Sequence, residues 1–410
     1  MTRRLVAPFA LGVLLSTTDA RAAGFALDVH SARPTGMATA VTGFIDDSSA
    51  IFYNPAGIAR GKVLDAQVGA TLIMPSFSYT NRSGQSTSTD FRIVPPVNAY
   101  VSGGITDDLS VGLGFFSPFG STLSWPDGWE GRRQITDISI QTFFLNPTVA
   151  YKLGPVRIGA GFQLVRSTVR LQRRLAFGER EGGVDLGGAT WGFGGNIGAQ
   201  VDAIPKRLHL GVHYRSAVKL NYDGLADFDN VPEPLANAIF DQPVSTSLLT
   251  PDILSMGAAF RPVPSLLIAA DVVWYGWANL RSIDLTFPED ASGTLSSSRP
   301  KRWSNVANYH VGAEGEVSPE WRVRGGLVYD PTPSPGDTLT PDSPDADRIN
   351  FAVGGSYMHT SGVHVDLGYR LVILLKREST ARELPGDYQG TANLLGITVG
   401  YRSGGGERGQ

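Results

Sequence analysis

The sequence contains no cysteine, which excludes disulfide frameworks, thiolate metal sites and cysteine nucleophiles. It has no apolar run of the eighteen or more residues that a membrane-crossing helix needs. Charge is sparse, at 18% of residues, and the net value is only -3. That leaves little for electrostatic recognition of nucleic acid. What the chain has instead is glycine, 49 residues of it, with 10% aromatics and a mean hydropathy of -0.05. A barrel wall gives such an average, because outward apolar and inward polar residues cancel. A length of 410 residues admits two or three soluble domains or one large barrel.

The first residues read as an export signal. Met1-Thr2-Arg3-Arg4 is basic, Leu5 to Leu15 is apolar but too short to span a bilayer, and Ala20-Arg21-Ala22 offers small residues to a peptidase. A signal peptide over 1–22, cleaved before Ala23, is expected; the alternative is a buried N-terminal helix.

From residue 63 to 402 the chain alternates with period two. Leu208, Leu210, Val212, Tyr214, Val218 and Leu220 alternate with His209, His213, Arg215 and Lys219. Val363, Val365, Leu367, Tyr369 and Leu371 alternate with His364, Asp366 and Arg370. Such a pattern puts one face in an apolar medium and the other in a polar one. About fourteen segments follow it: 63–78, 91–103, 107–117, 135–152, 155–176, 185–203, 206–226, 250–262, 265–287, 301–317, 320–331, 346–358, 361–378 and 388–402. Their connections alternate in length. Short turns at 152–155, 203–206, 261–264 and 317–320 separate long polar loops near 118–134, 227–249, 288–300 and 332–345. Short turns at the periplasmic rim and long loops outside are the layout of an outer-membrane barrel. Tyr151, Tyr214, Trp321, Tyr357 and Tyr401 share the outward phase near strand ends, where an interfacial girdle belongs.

Residues 23–62 break the pattern. They are rich in glycine, alanine and serine and carry Asn54-Pro55-Ala56-Gly57, which argues against a strand. The reading is an all-β chain, a 14-stranded antiparallel transmembrane β-barrel over 63–402. Residues 23–62 form an N-terminal hatch plugging its lumen, and 403–410 a polar tail. The alternative for the hatch segment is a disordered periplasmic tail.

Ser31 to Ala38 and Asp46 to Gly57, with the Asn54-Pro55-Ala56 element, resemble the N-terminal region of the FadL/TodX outer-membrane transporters. Further matches fall in order at Gly112 to Gly120, with Trp125, Trp129, Gly131 and Arg132 after it. Others cover Asn146 to Tyr151 and Arg322 to Pro333, followed by Pro341-Asp342 and Asp347-Arg348. The resemblance implies a fourteen-stranded barrel with a hatch. It implies ligand capture on the outer loops, transfer to an internal pocket, release by movement of the hatch N-terminus, and sideways exit through a kink in the third strand. Two departures stand out: the loop near 177–187 is short, and a polar tail follows Tyr401.

The lumen-facing charges Asp271, Glu314, Glu316, Arg322, Arg324, Asp366 and Arg370 read either as a structural network holding the hatch or as anchors for a ligand carboxylate. Arg215 and Lys219 are the anchor candidates on the seventh strand. Arg166 and Arg170 continue an outward phase suited to lipopolysaccharide phosphates; a bulge near Leu164-Val165 would instead turn them inward, with Arg170 as an anchor. His209 and His213 lie about 13 Å apart on a strand, too far to share one metal ion. Residues 231–242 are expected to form a short loop helix with Leu235, Ala238, Ile239 and Phe240 on one face.

These readings define the expected function: passive passage of hydrophobic molecules, by a monomer, with no cofactor and no metal. Phe25, Leu27 and Phe116 are expected beside the ligand, Asn54, Pro55 and Ala56 to fix the hatch, and Phe115, Ser117, Pro118 and Gly120 to form the gate. The rival classes are a barrel lipase, which would need a Ser–His pair at the wall, and a structural or adhesive barrel.

Overall fold

The computed structural model describes residues 24–290, 293 and 295–403. The expected signal peptide and most of the polar tail lie outside them. The wall begins with β1 (Leu64–Asn81), β2 (Val97–Gly104) and β3, which is split into Leu109–Phe116 and Gly120–Ser124. β4 (Asp137–Leu153), β5 (Val156–Phe177) and β6 (Arg180–Ile204) follow as long hairpin strands. β7 is split into Leu208–Arg215 and Lys219–Asp229, and β8 into Gln242–Leu249 and Ile253–Val263. β9 (Leu266–Tyr275), β10 (Val306–Glu316), β11 (Trp321–Asp330), β12 (Arg348–Met358), β13 (Val363–Ser379) and β14 (Gly386–Arg402) complete the ring. Each strand pairs antiparallel with its sequence neighbour, and β1 closes on β14 from Asp65↔Arg402 to Asn81↔Gly386. The result is a closed fourteen-stranded antiparallel barrel.

The period-two pattern explains the wall. Along β14, Leu395, Ile397, Val399 and Tyr401 are 42–47% exposed, while Ala392, Leu394 and Thr398, in the opposite phase, are buried. A continuous exposed apolar belt is stable only against hydrocarbon. Trp321 and Tyr357 lie on neighbouring strands with ring centroids 5.0 Å apart, in the outward phase.

The strand limits differ from expectation where local chemistry intervenes. β2 begins at Val97 because Pro95 and Pro96 offer no ladder donors. β9 stops at Tyr275, where a 3₁₀ turn over Trp277–Asn279 carries Trp277 into the lumen. The segment near 177–187 is not a loop. A two-residue turn at Gly178, with φ +69°, joins β5 directly to β6. In place of a loop helix at 231–242 there is one 3₁₀ turn, Glu233–Leu235, with Leu235 and Phe240 exposed.

Residues 29–59 lie almost entirely buried inside the ring. They form two short helices, α1 (Ala32–Gly36) and α2 (Ala50–Tyr53), and a 3₁₀ turn at Pro55–Ile58. Inward polar side chains of the wall satisfy their backbone, as buried peptide groups require. Asp271 of β9 accepts from the Val41 and Thr42 amides at 2.9 and 2.8 Å, and Thr398 of β14 accepts from Ala32 at 2.9 Å. Charges do the rest: Arg33 pairs with Asp46, Asp47 and Glu314 at 2.7, 2.9 and 3.3 Å, and Arg324 with Glu314 at 2.6 Å. Where this segment runs closest to the wall there is no side chain to spare. A Cβ on Gly36 would sit 2.9 Å from the Cα of Gly354 on β12.

Candidate functional site

Pro118 cannot donate to a ladder, and at Ser117-Pro118-Phe119 β3 leaves the wall and turns into the lumen. Below the bend the β2–β3 ladder runs from Gly104↔Ser110 to Ala99↔Phe115. Above it, pairing resumes where the Asp90 amide donates to the Ser124 carbonyl at 2.8 Å. Between these points no ladder hydrogen bond joins β2 to β3 among the described residues. β1 remains paired across the same height, through Thr71 to Pro96 and Ile73 to Val94 at 3.1 and 2.9 Å. The discontinuity is therefore confined to one seam of the wall.

The start of the described chain occupies the inner side of that seam. Leu27 donates its amide to the Pro118 carbonyl at 2.8 Å, and Gly120 donates to the Phe25 carbonyl at 3.1 Å. Ala26 and Phe119 thus face each other as an antiparallel pair. This is strand addition on the smallest scale. The Phe25 ring enters an aromatic box, 4.7 Å from Trp277, 6.0 Å from Trp303 and 6.3 Å from Phe119. Gly24 makes the approach possible, with φ +60° and no room for a Cβ beside Trp277 and Trp303.

Behind this segment lies a cavity of about 440 Å³, within the ~300–1,000 Å³ usual for small-molecule sites. Ile73, Phe77, Val94, Leu123, Ile140 and Leu394 form its apolar side, and Asp28, His310, Arg348 and Arg370 its polar end. Arg370 holds Asp28 through two contacts of 2.8 and 3.0 Å, and Thr39 donates to the same carboxylate at 2.6 Å. Burial pulls the Asp28 pKa upward, but Arg370 and His310 outweigh it and hold the group at about 2. Arg348 pairs with Asp345 at 2.5 Å and donates to the Gly24 carbonyl at 3.0 Å.

Ala26, Leu27 and Asp28 also line a second, smaller cavity of about 50 Å³, on whose surface lie His213 and Arg215. The Arg215 guanidinium stands over the Phe52 and Phe116 rings, 4.6 and 5.2 Å from their centroids, and donates to the Phe52 carbonyl at 2.7 Å. It is 1% exposed, Nη1 has no hydrogen-bond partner, and among the described residues it forms no ion pair. Desolvating a cation without a counter-ion costs on the order of several kcal/mol. Nearby His30 is held at about 4 by burial, with the Arg215 charge acting in the same direction. It is therefore neutral at pH 7, with Nε2 2.9 Å from the Leu27 carbonyl.

Asn54, Pro55 and Ala56 sit against β5, β6 and β7, all buried. The Asn54 amide donates to the carbonyls of Thr42, Ala199 on β6 and Val212 on β7 at 2.9, 3.0 and 3.3 Å. Pro55 backs onto Gly159, where a Cβ would collide with its backbone.

The structure thus brings Phe25, Leu27, Ser117, Pro118 and Gly120 together, and sets Phe116 and Arg215 against each other one layer away. Phe115 points outward and stacks on Phe143 at 6.0 Å. Two expected anchors are not in the lumen. Lys219 is exposed, because the break at 216–218 inverts the phase of β7 and turns Val218 and Leu220 inward. Arg170 is also outward, in a bidentate pair with Asp185. The β5–β6 register is continuous from Val156↔Val201 to Phe177↔Arg180, so no bulge redirects it. Arg166 shares that outward face, 5.2 Å from the Trp191 ring. Sequence reasoning missed Asp28, Trp277 and Trp303. The tryptophans stand in what reads as strand or strand edge; the 3₁₀ turn after Gly276 brings Trp277 inside, and Trp303 packs beside it where its amide donates to the Leu280 carbonyl at 3.2 Å.

Residues 13–402 match the model of a family described as outer membrane protein transport protein (OMPP1/FadL/TodX). The long-chain fatty acid transport protein of Escherichia coli K12 is 25% identical over 441 aligned positions, covering 96% of this chain and 97% of that protein. Outer membrane protein P1 of Haemophilus influenzae is 22% identical, covering 96% and 98%. Among solved structures, a Pseudomonas aeruginosa FadL homologue superposes with a TM-score of 0.80 at 19% identity, covering 92% of this chain and 99% of that one. The Ralstonia pickettii toluene transporter TbuX gives 0.70 at 16% identity, covering 91% and 98%.

Proposed function

The chain belongs to the outer-membrane transport protein family (OMPP1/FadL/TodX), and from that membership we propose that it passes fatty acids or hydrocarbons through the outer membrane. The observation that carries this reading is the juxtaposition at β3. A short N-terminal strand is seated against a break in the wall, with an apolar cavity of about 440 Å³ directly behind it. Ligand first meets the exposed apolar loop at Leu235 and Phe240 and then enters the cavity. When Phe25–Leu27 withdraws, ligand leaves sideways between β2 and β3. Each methylene kept out of water contributes about 0.8 kcal/mol, so a path from cavity to bilayer is better than a wet pore. In this reading residues 24–62 act as the hatch, fixed at Asn54 and movable at Phe25. The outward Arg166 suits the phosphates of lipopolysaccharide.

The test is transfer into reconstituted vesicles of hexadecanoate, hexadecane and toluene, with a small sugar as the polar control. Faster uptake of at least one apolar probe than in empty vesicles, without sugar leakage, is expected. If none of the three is accelerated, the reading fails.

A further inference from the structure

We propose that the outer edge of β5, β6 and β7 is a binding site for the phosphorylated disaccharide of lipopolysaccharide. Arg166 and Lys219 are its two cations, and Trp191 is the platform between them. The site lies on the outside of the wall, so it is independent of what the lumen carries. It rests only on the outer-membrane placement of the family and turns the outward position of Arg166 into a defined lipid contact.

Three observations carry it. The first is height. On β5 the outward phase is apolar from Ile158 to Leu164 and polar from Arg166 to Arg174. On β6, Phe193 and Trp191 are 63% and 57% exposed, and no large apolar side chain follows them in the outward phase up to Asp185. Lys219 is the first exposed residue of β7 after its break and pairs with Leu249 of β8. All three residues therefore stand at the edge of the hydrocarbon belt, the level of lipid headgroups, where aromatic rings and long cationic side chains are favoured. From Lys219, β7 runs on to the loop at 230–241. Long loops mark the outer side, so this edge meets the leaflet that contains lipopolysaccharide. The second observation is adjacency. The Arg166 guanidinium stands 5.2 Å from the centroid of the Trp191 ring, which holds it by its face and leaves its N–H edge for an anion. On the other flank, a Cβ on Gly192 would lie 3.2 Å from the Lys219 carbonyl. Cation, aromatic and cation thus follow one another on three neighbouring strands. The third is pairing. Cations farther out are neutralised: Arg170 by Asp185 at 3.0 Å, Arg174 by Asp127 at 3.2 Å and Arg132 by Glu181 at 2.8 Å. Arg166 and Lys219 form no ion pair among the described residues. A lone cation in open water needs no partner, but at this height the anions at hand are lipid phosphates. β5 and β7 are two strand spacings apart, ~10 Å. Two phosphates on a rigid disaccharide match that separation better than the single phosphodiester of a glycerophospholipid.

The experiment titrates the purified full-length mature barrel in detergent with diphosphoryl lipid A, monophosphoryl lipid A and phosphatidylglycerol, and reads bound lipid by native mass spectrometry. The native barrel is expected to bind diphosphoryl lipid A most tightly and phosphatidylglycerol least. Arg166→Gln with Lys219→Gln is expected to weaken diphosphoryl lipid A about ten- to thirtyfold, and phosphatidylglycerol by no more than about fivefold. Arg170→Gln with Arg174→Gln removes the same charge from cations that are already paired, and is expected to leave lipid A binding within twofold. Unchanged lipid A binding in the first double variant overturns the site. An equal loss in the second shows general attraction to a basic surface and overturns it too. Native binding of phosphatidylglycerol as tight as that of diphosphoryl lipid A overturns the assignment to lipopolysaccharide. If the first double variant does not fold, Lys219→Gln alone decides, with a loss of about threefold to fivefold for diphosphoryl lipid A expected and no loss refuting. The site and the transport reading fail separately: a barrel that carries none of the apolar probes can keep the lipid A preference, and one that carries them can lack it.

Discussion

Absence of cysteine makes the seam at β3 open to a clean test. Ala26 and Phe119 form an antiparallel pair flanked by the Leu27–Pro118 and Gly120–Phe25 hydrogen bonds. That is the non-hydrogen-bonded type, with Cα atoms about 4.5 Å apart, inside the range a disulfide spans. Ala26→Cys with Phe119→Cys should therefore oxidise to a staple across the seam. In the native barrel four hydrogen bonds hold residues 24–27, two to β3, one from Arg348 and one with His30, worth about 0.5–1.5 kcal/mol each. The Phe25 contacts with Trp277 and Phe119 add about 0.5–1.5 kcal/mol each. The total, about 3–9 kcal/mol, leaves the segment released in at most roughly one molecule in a hundred and fifty. Bound ligand need only supply that difference to open the path. The staple removes the released state altogether. Uptake of hexadecanoate into vesicles should fall to the empty-vesicle rate under oxidising conditions and return on adding dithiothreitol. The reduced double variant is the control for loss of the Phe119 ring. A quantitatively cross-linked barrel that still passes hexadecanoate at the reduced rate would refute the argument that this segment closes the exit.

Three further outcomes follow from the same geometry. Asn54→Ala strips the hydrogen bonds to Thr42, Ala199 and Val212; about 1–3 kcal/mol of the stability of the segment inside the ring should go, seen as sugar leakage with unchanged heat-modifiable mobility of the barrel. Pro118→Thr with Gly120→Val gives β3 the means to complete its ladder, so uptake should drop, and a straightened strand with native uptake would count against sideways exit. Asp28 is depressed to about 2 by Arg370 and His310 against the pull of burial, so its contribution is complete above the unfolded carboxylate value of about 3.9 and is lost as pH falls toward 2. A spin label at residue 26, which lines the large cavity, should therefore become mobile between about pH 4 and 2, and Asp28→Asn should show that mobility already at pH 7.

The wall was legible because each of its residues answers a binary question, lipid or lumen, that period-two alternation records directly. β4, β5, β11, β12 and β13 begin and end within a few residues of expectation. The Lys219 error and the unread filling of the β3 gap share one physical origin, the local break. Alternation carries no information across Ser216–Val218, where a three-residue interruption inverts every later side chain and turns Lys219 outward. Pro118 and its flanking glycines announce a break in β3, but nothing in the pattern says what fills it. The pairing of Phe25–Leu27 with Pro118 and Gly120 joins residues more than ninety positions apart through backbone atoms alone. Arg215 was legible as an inward cation; that it lacks an anion was not, because pairing depends on which acids the other strands and α1–α2 bring near.

The closing ladder between β1 and β14 bears on how the molecule is made. The two strands share seventeen residue pairs, from Asp65↔Arg402 to Asn81↔Gly386, and β14 is synthesised after the other thirteen strands. Until it meets β1, the wall is an open curved sheet, and α1, α2 and the Asn54 turn can settle onto it from the missing side. Afterwards those segments would have to enter a closed ring, where Arg33, Asn54 and Asp271 join the interior segment to different strands. That order favours loading the interior first and zipping the seam second. A chain whose interior segment folds late would be caught as a complete ring with the wrong contents.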